Sequence, residues 1–103
     1  MFENDIDEAI IYSYFTYSKV NKKNEEKGLI CINVIKPTDK NSPKSFGWEK
    51  CSYWVNFNDE LFKYLKGVLV KKSTLKVALV PDYKDSNRYT SKLIQINDFV
   101  IKD

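Results

Sequence analysis

The sequence has no histidine and only two cysteines, three glycines and three prolines among 103 residues. Histidine is the commonest general base and the commonest metal ligand, so its absence argues against most acid–base and metal chemistry. Cys31 and Cys51 lie far apart in apolar surroundings, which predicts two buried, reduced thiols rather than a zinc site. The chain also lacks a glycine-rich phosphate loop and a nucleophile motif. We therefore predict that the protein is not an enzyme and holds no metal or cofactor.

Long apolar runs and a secretory signal are missing as well. No apolar run approaches the roughly 20 residues that span a membrane. The first residues are acidic, whereas a secretory signal begins with a basic region. Hydrophobic residues make up 43% of the chain and charged residues 30%, which is typical of a globular domain. These features predict a single cytoplasmic domain with a modest core and no membrane span.

Charge is distributed unevenly along the chain. The net charge is +3, from 17 basic and 14 acidic residues. Four of the acidic residues and none of the basic ones lie in residues 1–8, so residues 9–103 hold 17 basic and 10 acidic residues, a net +7. We interpret residues 1–8 as an acidic N-terminal arm and residues 9–103 as one basic domain. Such a domain suggests a polyanionic partner, with an ordinary lysine-rich surface as the alternative.

Five segments rich in β-branched and aromatic residues predict strands. They are residues 9–20, 29–35, 47–57, 75–81 and 89–101. Asn58 and Asp59 can cap a short helix between the third and fourth strands, and Gly67 stands where that helix would end. Residues 36–46 contain two prolines and predict a long exposed loop. The order indicates a mainly β protein with the OB fold, a five-stranded barrel with one short helix between strands 3 and 4.

Period-two alternation divides residues 47–57 between two faces of the third strand. The more apolar set, predicted to face the core, is Cys51, Tyr53, Val55 and Phe57. The opposite face carries Trp48, Lys50, Ser52, Trp54 and Asn56. Binding of single-stranded nucleic acid needs aromatic rings for the bases and cations for the phosphates, and this face offers both. The alternative is that the tryptophans complete the core or an oligomer interface.

Three stretches of the chain resemble the OB domain of bacterial single-stranded DNA-binding proteins. Residues 48–57 are similar to that family's third strand, residues 64–67 to the end of its helix, and residues 72–91 to its fourth strand, following hairpin and the start of its fifth. The resemblance covers roughly residues 46–101. The helix is shorter than in the family, and the family's acidic C-terminal tail is absent. The resemblance therefore implies a minimal relative, encoded by a phage or mobile element and acting in DNA replication or recombination.

This reading implies that single-stranded DNA, with RNA as the alternative, lies between the first and last hairpins. The residues predicted to contact it from these hairpins are Lys22, Lys23, Lys84, Arg88 and Tyr89. OB domains of this size often associate, so we expect a homodimer or homotetramer.

Alternation does not separate core from surface among the aromatic residues of the first strand, which we interpret as part of the core or of an interface. They are Tyr12, Tyr14, Phe15 and Tyr17. They are a candidate surface for self-association. The alternative function is a small protein-binding inhibitor or adaptor, because exposed tryptophans also form the centres of protein interfaces.

Overall fold

A computed structural model describes residues 2–20, 22–24, 26–38, 47–81 and 87–102. Within these ranges the elements are β1 (Phe2–Val20), β2 (Glu26–Pro37), β3 (Trp48–Asn56), α1 (Asp59–Val68), β4 (Lys72–Pro81), β5 (Tyr89–Ile96) and β6 (Phe99–Val100). The strands form one antiparallel sheet in the order β3-β2-β1-β4-β5-β6. The prediction of a mainly β protein with one short helix between the third and fourth strands is confirmed.

The predicted count of five strands is wrong by one, because the last predicted strand is broken at Asn97. This residue has a left-handed backbone with a φ of 50°, which asparagine tolerates better than most side chains. Its Oδ1 accepts a hydrogen bond of 2.9 Å from the backbone N–H of Thr74. The chain therefore reverses after β5, and Phe99–Val100 pair with its end as β6.

The sheet is strongly curved, but it is not the closed barrel that the sequence predicts. In a flat sheet of this order, β3 and β5 would be four positions apart, or about 19 Å. Their Cα atoms instead approach within 8 Å. Over the ranges that the structure describes, no ladder joins β3 to β5 or to β6. The curvature brings the two ends of the sheet together without closing it.

The acidic segment predicted as an arm lies in the sheet. β1 begins at Phe2, seven residues before the predicted start of the first strand. Its first part pairs with β4, from Phe2 opposite Leu79 to Ile10 opposite Lys72, and its second part pairs with β2. A single long strand therefore connects both halves of the curved sheet.

The core lies between the inner faces of the two sheet halves and α1. Its largest fully buried side chains are Ile11, Ile30, Ile32, Val34, Leu61, Leu65, Leu75, Leu93 and Ile96. The Oδ1 atom of Asn58 caps α1 by accepting from the backbone N–H groups of Glu60 and Leu61. No helix in the described part of the chain has the length and apolar character that would let it cross a membrane.

The predicted division of the third strand between two faces is confirmed within β3, with one correction beyond its end. Tyr53 and Val55 are buried, and Cys51 is partly buried. Phe57, predicted to lie in the core, is 42% exposed because it follows β3 and sits at the rim against Phe62. Gly28 lets β2 pass close to it, since a Cβ at position 28 would lie 3.1 Å from the Cβ of Phe57.

Candidate nucleic-acid interface

A β-bulge at Tyr12 sorts the aromatic residues of β1 between the two faces of the sheet. The register with β2 shifts between residues 11 and 13, so Tyr12 is an extra residue. An extra residue reverses the alternation along a strand. Ile11 is buried before the bulge, and Tyr14 after it faces inward, with its ring 5.5 Å from that of Phe62. Phe15 consequently points outward.

The outer side of β1, β2 and β3 carries one continuous surface, which we call the aromatic face. Its residues are Tyr12, Ser13, Phe15, Tyr17, Cys31, Asn33, Lys50, Ser52 and Trp54. Directly paired residues on neighbouring strands project to the same side of a sheet. One row across the three strands therefore consists of Phe15, Cys31 and Trp54. The next row consists of Ser13, Asn33 and Ser52.

Trp54 lies on β3, the edge strand of the aromatic face, in the row with Phe15 and Cys31. Its ring centroid lies 5.8 Å from that of Phe15 and 5.9 Å from that of Tyr17, with interplanar angles of 90° and 79°. These edge-to-face contacts are favourable and fix the orientation of the indole. Trp54 is nevertheless 51% exposed, and Phe15 and Tyr17 are exposed to a similar extent. The cluster is thus preorganised and still open to a flat ligand.

Cys31 forms the floor beneath these rings. It is only 3% exposed, in the row between Phe15 and Trp54. Burial raises the pKa of the Cys31 thiol, so the group stays neutral at physiological pH. Both cysteines are free thiols, as predicted, although Cys51 is only partly buried.

The row next to Cys31 is polar and joined by hydrogen bonds. Nδ2 of Asn33 donates to Oγ of Ser13 over 3.0 Å. Oδ1 of Asn33 accepts from Oγ of Ser52 over 2.6 Å. The two bonds connect the outer sides of β1, β2 and β3 between the aromatic cluster and Lys50.

Lys50 supplies a cation beside the polar row. Its side chain is exposed, and Nζ lies 5.9 Å from the ring centroid of Tyr12, within cation–π range. The geometry therefore places a positive charge on the same strand face as Trp54, four residues away.

Trp48 lies on the same side of β3 but at its far end, opposite Pro37. It is 52% exposed. Six residues separate it from Trp54, which corresponds to about 20 Å along a strand. The two tryptophans predicted to stack on bases share a face, but the structure does not bring them together.

The predicted hairpin residues occupy different places. Lys22 and Lys23 are exposed in the turn between β1 and β2, beyond the Tyr17 end of the aromatic face. Arg88 and Tyr89 are exposed at the start of β5, on the other half of the sheet. Lys84 lies outside the described residues.

Sequence reasoning placed Ser52 on this side of β3 but gave it no role in binding. It did not assign to the aromatic face the residues from β1 and β2, which are Tyr12, Ser13, Phe15, Tyr17, Cys31 and Asn33. The signal for Ser52 was its position between Lys50 and Trp54 in an alternating strand. The residues of β1 gave no usable signal, because the bulge interrupts the alternation.

Two further observations concern an open pocket and the possibility of a metal site. An open pocket of about 360 Å³ lies near the β1–β2 turn. It is lined by Thr16, Tyr17, Ser18, Gly28, Leu29 and Phe57. In the part of the chain that the structure describes, no three acidic, cysteine or histidine side chains come together as metal ligands would.

The described residues thus form an antiparallel β protein with one helix and an exposed aromatic face. No family model, curated protein or solved structure matches the chain. The chemistry of the aromatic face is therefore the basis on which a function can be inferred.

Proposed function

We propose that the protein binds single-stranded nucleic acid, with DNA as the preferred form, across the aromatic face and without strict sequence specificity. The observation that carries this proposal is the half-exposed indole of Trp54, held between Phe15 and Tyr17. Every base has a flat π-face, so stacking on an exposed ring binds single strands of any sequence. In a duplex the bases are already stacked on one another and cannot reach the indole.

Positive charge supports the same proposal. Lys50 lies on the aromatic face, and Lys22 and Lys23 lie beyond one end of it. Residues 9–103 carry 17 basic and 10 acidic residues in total. Lysines beside stacking rings can neutralise phosphates while the bases contact the rings.

For the fold we propose a partly open OB-type barrel with β6 as an addition. The strand order β3-β2-β1-β4-β5, the long first strand shared between both sheet halves and the position of α1 support it. The approach of β3 to β5 supports it too. In OB folds the face of the second and third strands, with the hairpin loops around it, binds oligonucleotides.

The sequence resemblance over residues 46–101 supports an assignment to the single-stranded DNA-binding proteins. A phage or mobile-element origin, a cytoplasmic role in replication or recombination, and assembly into a dimer or tetramer belong to this proposal. The exposed rings of Phe15 and Tyr17 offer an apolar surface that such an assembly could use in place of nucleic acid.

Tryptophan fluorescence provides the test, because both tryptophans are half exposed on the outer side of β3. We expect oligo(dT) to quench or shift the emission at concentrations where a duplex of the same length has little effect. An equal response to both forms would contradict stacking on Trp54. No response to either would contradict the proposal and favour a protein partner, since exposed aromatic residues also form protein-binding hot spots.

A further inference from the structure

The hydrogen-bonded row at the centre of the aromatic face, which we call the polar row, consists of Ser13, Asn33 and Ser52. These residues are directly paired on β1, β2 and β3. Ser52 is exposed and the other two are partly exposed, so a ligand on the face can reach them. Their mutual hydrogen bonds fix which donors and acceptors are left for that ligand.

The polar row keeps two donors that lie side by side, because Nδ2 of Asn33 and Oγ of Ser13 are 3.0 Å apart. Oδ1 of Asn33 accepts from Ser52 and, over 3.7 Å, from Sγ of Cys31, which occupies both of its lone pairs. One N–H of the amide is bonded to Ser13, and the second is left for a ligand. Oγ of Ser13 accepts from Asn33, so its own proton is available to donate. Ser52 donates its proton to Asn33 and keeps two lone pairs that can accept.

The polar row is also placed where a base edge would fall. Trp54, Ser52 and Lys50 are successive residues on one side of β3, and such residues are about 7 Å apart. A base stacked on Trp54 with its Watson–Crick edge toward Lys50 therefore has that edge over Ser52 and Asn33. Its own sugar and phosphate then lie on the opposite side of Trp54, and Lys50 can meet the phosphate of a neighbouring nucleotide.

We propose that the polar row reads this edge and favours bases that carry a carbonyl oxygen over adenine, which has none. A carbonyl oxygen has two lone pairs and can accept from the adjacent donors of Asn33 and Ser13 together. A ring nitrogen of adenine accepts only one hydrogen bond, and the amino group beside it is itself a donor. This proposal rests on the proposed function and adds a base preference to it. It predicts that binding tolerates many sequences but is weakest on adenine.

The test compares short oligomers of deoxyadenosine and deoxyinosine of equal length. Hypoxanthine keeps the purine rings of adenine but carries a carbonyl oxygen in place of the amino group, so stacking on Trp54 is matched. We expect the wild-type protein to bind the deoxyinosine oligomer about three- to tenfold more tightly, the contribution of one net hydrogen bond. Equal affinity for the two oligomers would overturn the proposal.

Variants then locate the preference. Asn33→Leu removes the free donor at similar volume and should bring the two affinities together, whereas Ser91→Ala, an exposed hydroxyl on β5, should keep the difference. Asn33→Asp replaces both N–H donors with carboxylate acceptors at nearly the same volume and should abolish the preference even if Asn33→Leu does not fold. If the polar row were purely structural, the substitutions in it would lower the melting temperature but leave the preference for the deoxyinosine oligomer intact. That outcome would overturn the proposal. Binding of neither oligomer by the wild-type protein would instead contradict nucleic-acid binding itself.

Discussion

At the scale of single residues, the position of Trp54 separates a role in binding from a role in the core. Its contacts are edge contacts with Phe15 and Tyr17, and about half of its surface is exposed. Removal of a buried tryptophan costs about 3–5 kcal/mol of folding free energy. Loss of aromatic pairs at a surface costs about 0.5–1.5 kcal/mol for each pair.

Trp54→Ala should therefore fold, with a melting temperature lower by several degrees, and lose about tenfold or more in affinity for oligo(dT). A stacked base contributes about 1–3 kcal/mol by alanine substitution. Thermal denaturation and fluorescence anisotropy with labelled oligo(dT) measure the two effects separately. Trp54→Phe keeps a ring and should retain most of the affinity.

The matched control is Val100→Ala, which shortens an exposed apolar side chain on β6. It should leave both stability and affinity nearly unchanged. If Trp54→Ala is stable and binds oligo(dT) as tightly as the wild-type protein, Trp54 does not stack on bases. That outcome would favour the alternative in which the aromatic face binds a protein.

At the scale of elements, the sequence predicted which side chains face outward in a regular strand but not in a bulged one. β3 alternates without interruption, so its sequence alone placed Trp48, Lys50 and Trp54 on the outer side. β1 has one irregularity between Ile6 and Ala9 and another at Tyr12, each of which shifts its pairing. Alternation fails across such shifts, and Phe15 and Tyr17 could not be assigned from the sequence.

The ends of elements depended on backbone conformations that the sequence pattern does not reveal. The turn at Asn97, which separates β5 from β6, is held by a bond from Thr74 and by bonds from Nδ2 of Asn97 to Ser73 and Tyr64. These partners are more than 20 residues away along the chain. A local pattern of residues contains no information about such distant contacts.

The acidic segment of β1 leads to a prediction at this scale. Deletion of residues 2–8 would remove the strand that pairs with β4 from Leu75 to Leu79, along with Ile6, which packs against the core. We expect that deletion to lower the melting temperature markedly. The double variant Glu3→Gln/Asp5→Asn keeps the strand and changes only two exposed charges.

If these charges repel nucleic acid, the double variant should bind oligo(dT) about twofold more tightly at low salt. The gain should vanish near 1 M salt, where charges are screened beyond about 3 Å. Titrations at the two salt concentrations measure it. Unchanged affinity at low salt would mean that the acidic segment lies too far from the bound strand to affect it.

At the scale of the whole molecule, lysines lie both within the aromatic face and far from it. Lys50 lies within the aromatic face, whereas Lys66 is exposed on α1, which packs against the core side. If bound single-stranded DNA follows the aromatic face and continues past its Tyr17 end, phosphates contact Lys50, Lys22 and Lys23 but not Lys66. The dependence of affinity on salt then shows which part of the protein surface the bound nucleic acid follows.

We expect the logarithm of the oligo(dT) association constant to fall linearly with the logarithm of the salt concentration, by about 0.7 for each phosphate neutralised. Contacts from Lys22, Lys23 and Lys50 would give a slope near −2. Lys50→Gln should make the slope shallower by about 0.7, because one fewer counterion is released from the strand, whereas Lys66→Gln should leave it unchanged. Equal slopes for the two variants would place the phosphates away from Lys50. Affinity independent of salt would show that the lysines make no phosphate contacts and would leave the aromatic face as a surface for a protein partner.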